Sequence, residues 1–155
     1  MRVSRHTIEF KTIPFEPGHA EDLVAQAEVN EAEKKFILGQ HIHNPVHAGH
    51  SVSVVRNGYL LGAGGIFPIW DGLGEAWVLP STTVQNHKRM FVKLIRENME
   101  RMGDEFAFRR IQATARADAP KARRFLEFLG FEREGLLRAY GPDGADHILF
   151  AKIRG

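Results

Sequence analysis

The middle of the sequence, residues 74–116, places the strongest constraint on the fold. Residues 75–80 predict a short buried strand, and residues 110–115 predict a second strand. Between them, residues 85–102 carry apolar side chains at i, i+3 and i+4, the spacing of a helix with one buried face. A strand, a helix and a strand in succession predict a βαβ unit, in which the strands are parallel and the crossover is right-handed.

This unit also predicts where a ligand would bind. In such sheets ligands sit where the carboxyl ends of strands meet the amino ends of helices, because free N–H groups and the helix dipole attract anions there. In this chain that point is residues 81–88, Ser-Thr-Thr-Val-Gln-Asn-His-Lys. We therefore expect this segment to border any site.

The composition indicates an ordinary globular protein. A chain of 155 residues, 43% apolar and 26% charged, can build one core but hardly two, so we expect a single domain over residues 1–155. The absence of cysteine excludes disulfides, zinc–thiolate sites and a thiol nucleophile. A net charge of +2 from scattered Lys, Arg, Asp and Glu gives no reason to expect a nucleic-acid partner.

No targeting segment is evident. There is no run of eighteen apolar residues, and the first seven residues lack the apolar stretch of a secretory signal. We therefore expect no membrane association and a cytoplasmic location.

The first half of the chain predicts an antiparallel meander after two helices. Residues 7–13 alternate as a strand, a helix begins near Pro17, and a weaker helix covers residues 30–38. Residues 51–56 and 59–67 predict strands joined by Asn57-Gly58, a pair that suits a tight hairpin turn. Glycines 62, 64 and 65 indicate a bulge, a close backbone or ligand approach, or space beneath Trp70 or Trp77.

Residues 39–50 predict an irregular loop that holds four of the eight histidines. His41, His43, His47 and His50 could form a metal cluster, but Gly, Asn and Pro favour a loop, and no Cys, Asp or Glu lies within it. We prefer a substrate-side loop and expect no metal.

The end of the chain predicts a helix and a closing hairpin. Asp118 can cap the helix, Pro120 suits its first turn, and Gly130 suits the position after its last turn. Residues 131–139 and 145–153 then predict two strands around a Gly-Pro-Asp-Gly turn.

The order of these elements, β-α-α-β-β-β-α-β-α-β-β, resembles the GNAT N-acetyltransferase superfamily over essentially the whole chain. Ala122, Gly130 and Phe131 match the terminal element of that family, and Leu79-Pro80 matches the usual end of its fourth strand. The resemblance implies an α/β fold with a central mixed sheet flanked by helices. Residues 75–77, His87 and residues 125–131 further resemble a small group of GNAT-like phage and prophage proteins, a softer match.

The resemblance implies that acetyl-CoA lies in a wedge between the fourth and fifth strands, with its pyrophosphate held by a glycine-containing loop before the third helix. Carried onto this sequence, the loop positions fall on Thr83, Asn86 and Lys88, or on Lys88 and Met90, and neither register contains glycine. Lys88 and Arg89 could hold phosphate by charge, or these residues could only cap and solvate the helix start. The residues expected to bind the cofactor are Val78, Leu79, Thr82, Thr83, Asn86, Lys88, Arg89 and Arg123.

The resemblance also points to catalytic candidates. The tyrosine with which many GNAT enzymes protonate the departing thiolate is replaced here by Leu126, and the two tyrosines of the chain are Tyr59 and Tyr140, of which Tyr140 is expected to pack on the last turn. Glu75 and His87 are the alternatives for a general base. The N–H of Leu79 is expected to polarise the thioester carbonyl.

Two functions therefore remain open from the sequence. The first is acetyl-CoA-dependent N-acetylation of a primary amine by direct transfer, with a small-molecule or protein acceptor that the sequence does not specify. The second is a catalytically degenerate GNAT-like phage protein with a structural or host-interaction role, located in a virion or host cytoplasm. His41, His43, Trp70 and Tyr140 are candidates for acceptor selection, and the resemblance makes a homodimer an option that no residue decides.

Overall fold

The computed structural model describes residues 9–27, 30–43 and 50–155, and only the backbone of residues 40–43. The strands are β1 (Phe10–Pro14), β2 (Ser51–Arg56), β3 (Tyr59–Trp70), β4 (Leu73–Pro80), β5 (Arg110–Arg116), β6 (Glu132–Leu137) and β7 (His147–Ile153). The helices are α1 (Pro17–Gln26), α2 (Glu31–His43), α3 (Lys88–Glu105) and α4 (Pro120–Phe128), and a short 3-10 helix, Val84–His87, precedes α3. None of the described helices is both long and apolar enough to pass through a bilayer.

The strands of the described residues form one mixed sheet in the order β1-β2-β3-β4-β5-β7-β6. Only β4 and β5 run parallel; the other neighbours are antiparallel. The expected βαβ unit and the mixed sheet flanked by helices are confirmed.

The parallel pair is short, and this feature creates the site. β4 and β5 are paired only at Leu73 with Arg110, Gly74 with Ile111, and Glu75 with Gln112. Beyond Glu75, β4 continues to Pro80 and β5 to Arg116 without pairing to each other. The two strands therefore separate along most of their length.

One apolar face of α3 forms the centre of the core. Phe91, Ile95, Met99 and Met102 are buried there, at the spacing that predicts a helix packed on a sheet. α4 adds Leu126 and Leu129 to the same cluster. α3 and α4 thus cover one face of the sheet on both sides of the gap between β4 and β5.

The glycines of β3 make room for α3. A Cβ on Gly62 would come within 2.6 Å of the Phe91 ring, and one on Gly64 within 3.0 Å of Ile95. A Cβ on Gly65 would meet the backbone just before β2 at 2.3 Å. Two of the explanations that the sequence left open apply: a register shift in the β2–β3 ladder lies beside Gly62, and a close neighbour lies at all three glycines. The side-chain neighbour of the first two is α3 and not a tryptophan.

Several boundaries differ from the sequence prediction. α2 continues to His43, so the first part of the expected loop is helical, and α3 begins at Lys88 and ends at Glu105. β3 runs through Pro68 to Trp70, and Gly72, with a φ of +87°, makes the turn into β4. Residues 7–8 of the expected first strand and His47 of the histidine segment lie outside the described residues.

The hairpin between β2 and β3 agrees with its prediction. Asn57 has a φ of +47° and Gly58 a φ of +85°, the pair of positive angles that a type I′ turn needs. Asn57 also accepts a hydrogen bond from the N–H of Glu9 at 2.8 Å through its side-chain oxygen. The turn chemistry is local, and the sequence alone was sufficient for it.

Candidate active site

The separation of β4 and β5 opens a cleft of about 670 Å³. Its walls come from β4, the 3-10 helix, β5 and the first turns of α4. The lining residues are Ala76, Trp77, Val78, Pro80, Val84, Gln85, Ala113, Thr114, Ala115, Ala119, Pro120, Lys121, Ala122, Phe125 and Leu126. The lining is mostly apolar, so the cleft suits a narrow ligand with an uncharged arm.

The backbone of β4 faces the cleft through Val78. The N–H of Ser81 donates to Leu61 at 2.8 Å, and in an antiparallel ladder hydrogen-bonded positions alternate, so the Leu79 N–H is directed at β3. Val78, the residue before Leu79, therefore directs its N–H away from β3 and into the gap between β4 and β5. The donor expected at Leu79 therefore falls on Val78, because the register decides which amides point outward.

Glu75 lies where the two strands part. It is the last β4 residue paired to β5, opposite Gln112, and its side chain is half-buried. Burial raises the pKa of its carboxyl group, because a charged carboxylate loses hydration there. Glu75 therefore lies where the strands part, with a carboxyl group that holds its proton more tightly than an exposed one does.

His87 lies elsewhere. Its ring packs edge-on against Phe10 of β1, with 5.7 Å between ring centroids. In the sheet order, β1 is three strands away from β4. The structure does not bring the two expected bases together, and only Glu75 borders the gap between the strands.

The start of α3 is held by internal hydrogen bonds. The N–H and the hydroxyl of Thr82 both donate to the side-chain oxygen of Gln26, at 3.1 and 3.2 Å. The Thr83 hydroxyl lies 3.0 Å from that of Ser81. The N–H of Asn86 donates to the Thr83 carbonyl, so part of the segment expected to cradle phosphate is satisfied by its own chain.

One cation lines the cleft, and three others lie on the two helices beside it. Lys121, in the first turn of α4, lines it directly. Lys88 holds its Nζ 5.2 Å from the ring centroid of Phe128, and so connects the start of α3 to the end of α4. Arg89 is exposed at the same helix start. Arg123 is not in the lining, but its Nε is buried without a hydrogen-bond partner among the described residues.

A second group of polar residues lies on the last hairpin, beside the β5 wall of the cleft. Burial, and then the negative charge of Glu75, raise the pKa of Tyr140, and the Tyr140 ring contacts His147 at 5.3 Å between centroids. The Nδ1 of His147 lies 3.3 Å from the hydroxyl of Thr114, which lines the cleft. No pattern in the sequence pointed to Thr114 or His147, since their proximity depends on the register of β5 against β7.

An ion-pair network anchors this hairpin. Arg116 pairs with Glu33 of α2, with Asp118 at 3.1 Å and with Asp143 at 2.7 Å. Asn30 donates a further hydrogen bond to Asp143 at 2.8 Å. The network ties α2, β5, the start of α4 and the hairpin together beside the cleft.

The remaining candidates from the sequence either lie away from the cleft or have side chains outside the described residues. Trp70 is 63% exposed at the turn before β4, the end of that strand opposite to the cleft. The side chains of His41 and His43 lie outside the described residues. Within the described part of the chain, no three His, Asp or Glu residues are grouped so that they could hold a metal ion.

Solved structures share this architecture. A GNAT-family acetyltransferase from Desulfovibrio desulfuricans matches with a TM-score of 0.69 and 17% identity, over 95% of this chain and 99% of its own. A variant of the spermidine N-acetyltransferase SpeG from Vibrio cholerae matches with a TM-score of 0.67 and 16% identity, over 93% of each chain. The microcin self-immunity acetyltransferase MccE, solved with acetyl-CoA and AMP, matches with a TM-score of 0.70 and 17% identity, over 94% of this chain and 93% of its own.

No protein-family model matches the sequence, and no curated protein matches it. Identities near 17% establish a shared architecture and leave the chemistry to the residues of this chain. The fold expected from the order of elements is confirmed by these matches. The chain has the fold of the GNAT acetyltransferases.

Proposed function

We propose that this protein is an acetyl-CoA-dependent N-acetyltransferase that transfers the acetyl group directly to a primary amine. The observation that carries the proposal is the separation of β4 from β5 immediately beyond Glu75, which opens an apolar cleft with a half-buried carboxylate at its inner end.

The cleft fits the pantetheine arm of the cofactor. Bound acetyl-CoA supplies an acetyl group activated as a thioester. Ala76, Ala113 and Ala115 give the walls small apolar side chains. These leave room for an extended arm and do not attract water. The N–H of Val78, directed into the gap, can hydrogen-bond the thioester carbonyl and stabilise the negative charge that develops on it.

The phosphates would be held mainly by side chains. The segment before α3 has no glycine, and Thr82, Thr83 and Asn86 already take part in hydrogen bonds of the protein. Lys121 at the rim of the cleft and Lys88 at the start of α3 can instead neutralise the nucleotide by charge.

Glu75 would activate the acceptor. An amine attacks a thioester only as the free base, and the raised pKa of Glu75 makes this carboxylate a better proton acceptor than an exposed one. Glu75 and Val78 lie on the same strand, and Glu75 is where β4 and β5 part. The Glu75 carboxylate would therefore accept the amine proton on the same wall of the gap as the N–H that polarises the carbonyl.

Cofactor binding is tested by thermal unfolding in the presence of acetyl-CoA and CoA. A ligand at one hundred times its dissociation constant adds about 2.7 kcal/mol of stability, roughly 5–10 °C in Tm for a chain of this size. Lys121→Glu and Lys88→Glu should reduce the shift, whereas Lys93→Glu, on the exposed side of α3, should not. No shift with millimolar acetyl-CoA would refute the proposed function.

Turnover is tested by the release of CoA thiol across a panel of primary amines. The chain contains no cysteine, so a thiol reagent reports CoA alone, without background from the protein. Mass spectrometry of the acceptor should show one added acetyl group. Cofactor binding without amine-dependent thiol release would mean that the chain binds acetyl-CoA without transferring its acetyl group.

A further inference from the structure

Acetyl transfer needs a proton donor that the usual position does not provide. The departing thiolate must gain a proton, and Leu126, which lines the cleft and is 8% exposed, has no proton to give. This inference rests on the proposed function. The proton must therefore come from another group beside the cleft.

The last hairpin presents Tyr140 at this place. The N–H groups of Tyr140 and Gly141 both donate to the Ala145 carbonyl, at 3.1 and 2.9 Å. Asp143, in the same loop, is held by Arg116. The backbone that carries Tyr140 is therefore fixed by hydrogen bonds and by an ion pair to β5.

The surroundings of Tyr140 connect it to the β5 wall of the gap. Its ring packs against His147, whose Nδ1 lies 3.3 Å from the Thr114 hydroxyl on that wall. A Cβ on Gly141 would come within 2.8 Å of the His147 Nε2, so glycine at this position permits the close approach of the hairpin. The ring is 50% exposed, which leaves its hydroxyl accessible.

We propose that Tyr140 donates the proton to the departing thiolate, and so takes the role that Leu126 cannot perform. The amine nitrogen forms a bond to the acetyl carbon, and the carbon–sulfur bond breaks with its electron pair on sulfur. Tyr140 gives its hydroxyl proton to that sulfur. The nitrogen of the ammonium loses two protons in all: one passes to Glu75 and then to water, and the other restores the hydroxyl of Tyr140.

The electrostatics agree with this role. Burial, and then the negative charge of Glu75, raise the pKa of Tyr140, so the phenol keeps its proton over the working range of pH. The other titratable group that contacts the ring is His147, whose pKa is lowered mainly by burial. Behind His147 lie the charges of Glu33, Arg116, Asp118 and Asp143.

The test compares Tyr140→Phe with Tyr59→Phe. These are the two tyrosines of the chain, and Tyr59 is 77% exposed at the start of β3 and does not line the cleft. Tyr140→Phe should lower kcat about 100-fold, within the range for loss of a general acid, while KM for acetyl-CoA, the acetyl-CoA thermal shift and Tm stay as in the wild type. Tyr59→Phe should keep full activity.

Two further readouts separate a proton donor from a merely structural residue. The wild type should lose activity at high pH as the phenol ionises, and this alkaline limb should vanish in Tyr140→Phe. In Tyr59→Phe a single phenol remains, and its absorbance titration should report a raised pKa that falls when Glu75→Gln is added.

The outcomes distinguish this proposal from the proposed function. If the wild type releases CoA and the kcat of Tyr140→Phe is within threefold of the wild-type value, Tyr140 is not the proton donor, although the protein is an acetyltransferase. If Tyr140→Phe loses cofactor binding or Tm together with activity, the residue is structural and the proposal is overturned. If the wild type neither binds nor turns over acetyl-CoA, the proposed function fails first.

Discussion

Replacing Glu75 by glutamine should remove most of the acetyl transfer while the fold remains intact. The carboxylate is half-buried at the point where β4 and β5 part, and its raised pKa makes it the group best placed to accept a proton from the acceptor amine. Glutamine has nearly the same shape and cannot act as a base. The substitution therefore removes the chemistry with little change in packing.

The expected loss follows from the role of a general base. Removing a positioned base costs about 10²–10⁴-fold in rate, and each factor of ten corresponds to 1.36 kcal/mol of activation free energy. Roughly 3–5 kcal/mol of transition-state stabilisation should therefore disappear. The wild-type rate should rise with pH through the pKa of Glu75, and this rising limb should be absent in Glu75→Gln.

Glu75→Gln should lower the activity but should not lower the free energy of unfolding. Because burial raises the pKa of Glu75, the folded state binds this proton more tightly than the unfolded chain does. The ionised carboxylate thus lowers the free energy of unfolding above the folded-state pKa, and the penalty is absent below the unfolded-state pKa near 4. Glu75→Gln should be at least as stable as the wild type at pH 8, and any gain should disappear near pH 4.

The assay is amine-dependent thiol release as a function of pH, with thermal unfolding of the same samples. Glu97→Gln, on the exposed side of α3, is the matched control and should resemble the wild type in both measurements. If Glu75→Gln retains a rate within threefold of the wild type and the same pH profile, the assignment of the base is refuted. A large drop in Tm would mean that Glu75 contributes to the fold instead.

Three further substitutions test other parts of the structure. Gly62→Ala should lower the free energy of unfolding by about 1–3 kcal/mol, because its Cβ would meet the Phe91 ring at 2.6 Å. Gly135→Ala, whose Cβ would have no neighbour within 4 Å, should leave the free energy of unfolding unchanged. Chemical denaturation measures both variants. Ala122→Trp, in the wall of the cleft, should abolish the acetyl-CoA thermal shift without lowering Tm by more than a few degrees, and a retained shift would move the cofactor elsewhere. Arg116→Met should increase amide hydrogen exchange in the β6–β7 hairpin, since three carboxylates lose their partner, and unchanged exchange would show that the network does not hold the hairpin.

Local features of the sequence were enough for much of the fold. Asn57-Gly58 specifies its own turn, and the 3.6-residue spacing of Phe91, Ile95 and Met99 specifies a helix with one buried face. The parallel pairing of β4 and β5 follows from the helix that connects them. These predictions succeed because each depends on contacts within a few residues or on one connection.

The site was harder to predict. Glu75 and His87 were both candidates for a base, and the structure places Glu75 where β4 and β5 part and His87 against β1. Which β4 amide faces the cleft depends on the ladder with β3, and a shift of one residue exchanges Leu79 for Val78. Tyr140 was assigned to packing on the last turn, and its contact with His147 on β7 was not predicted, because it depends on how the hairpin folds back.

The sequence by itself determined the elements, their order and the absence of a cysteine thiol, because propensity, periodicity and composition are properties of the chain alone. The tertiary structure decided that β4 and β5 stop pairing after Glu75, and that the last hairpin is held beside the gap by Arg116. Strand separation and long-range ion pairs arise from the balance of many packing contacts between distant segments, and no local pattern encodes that balance.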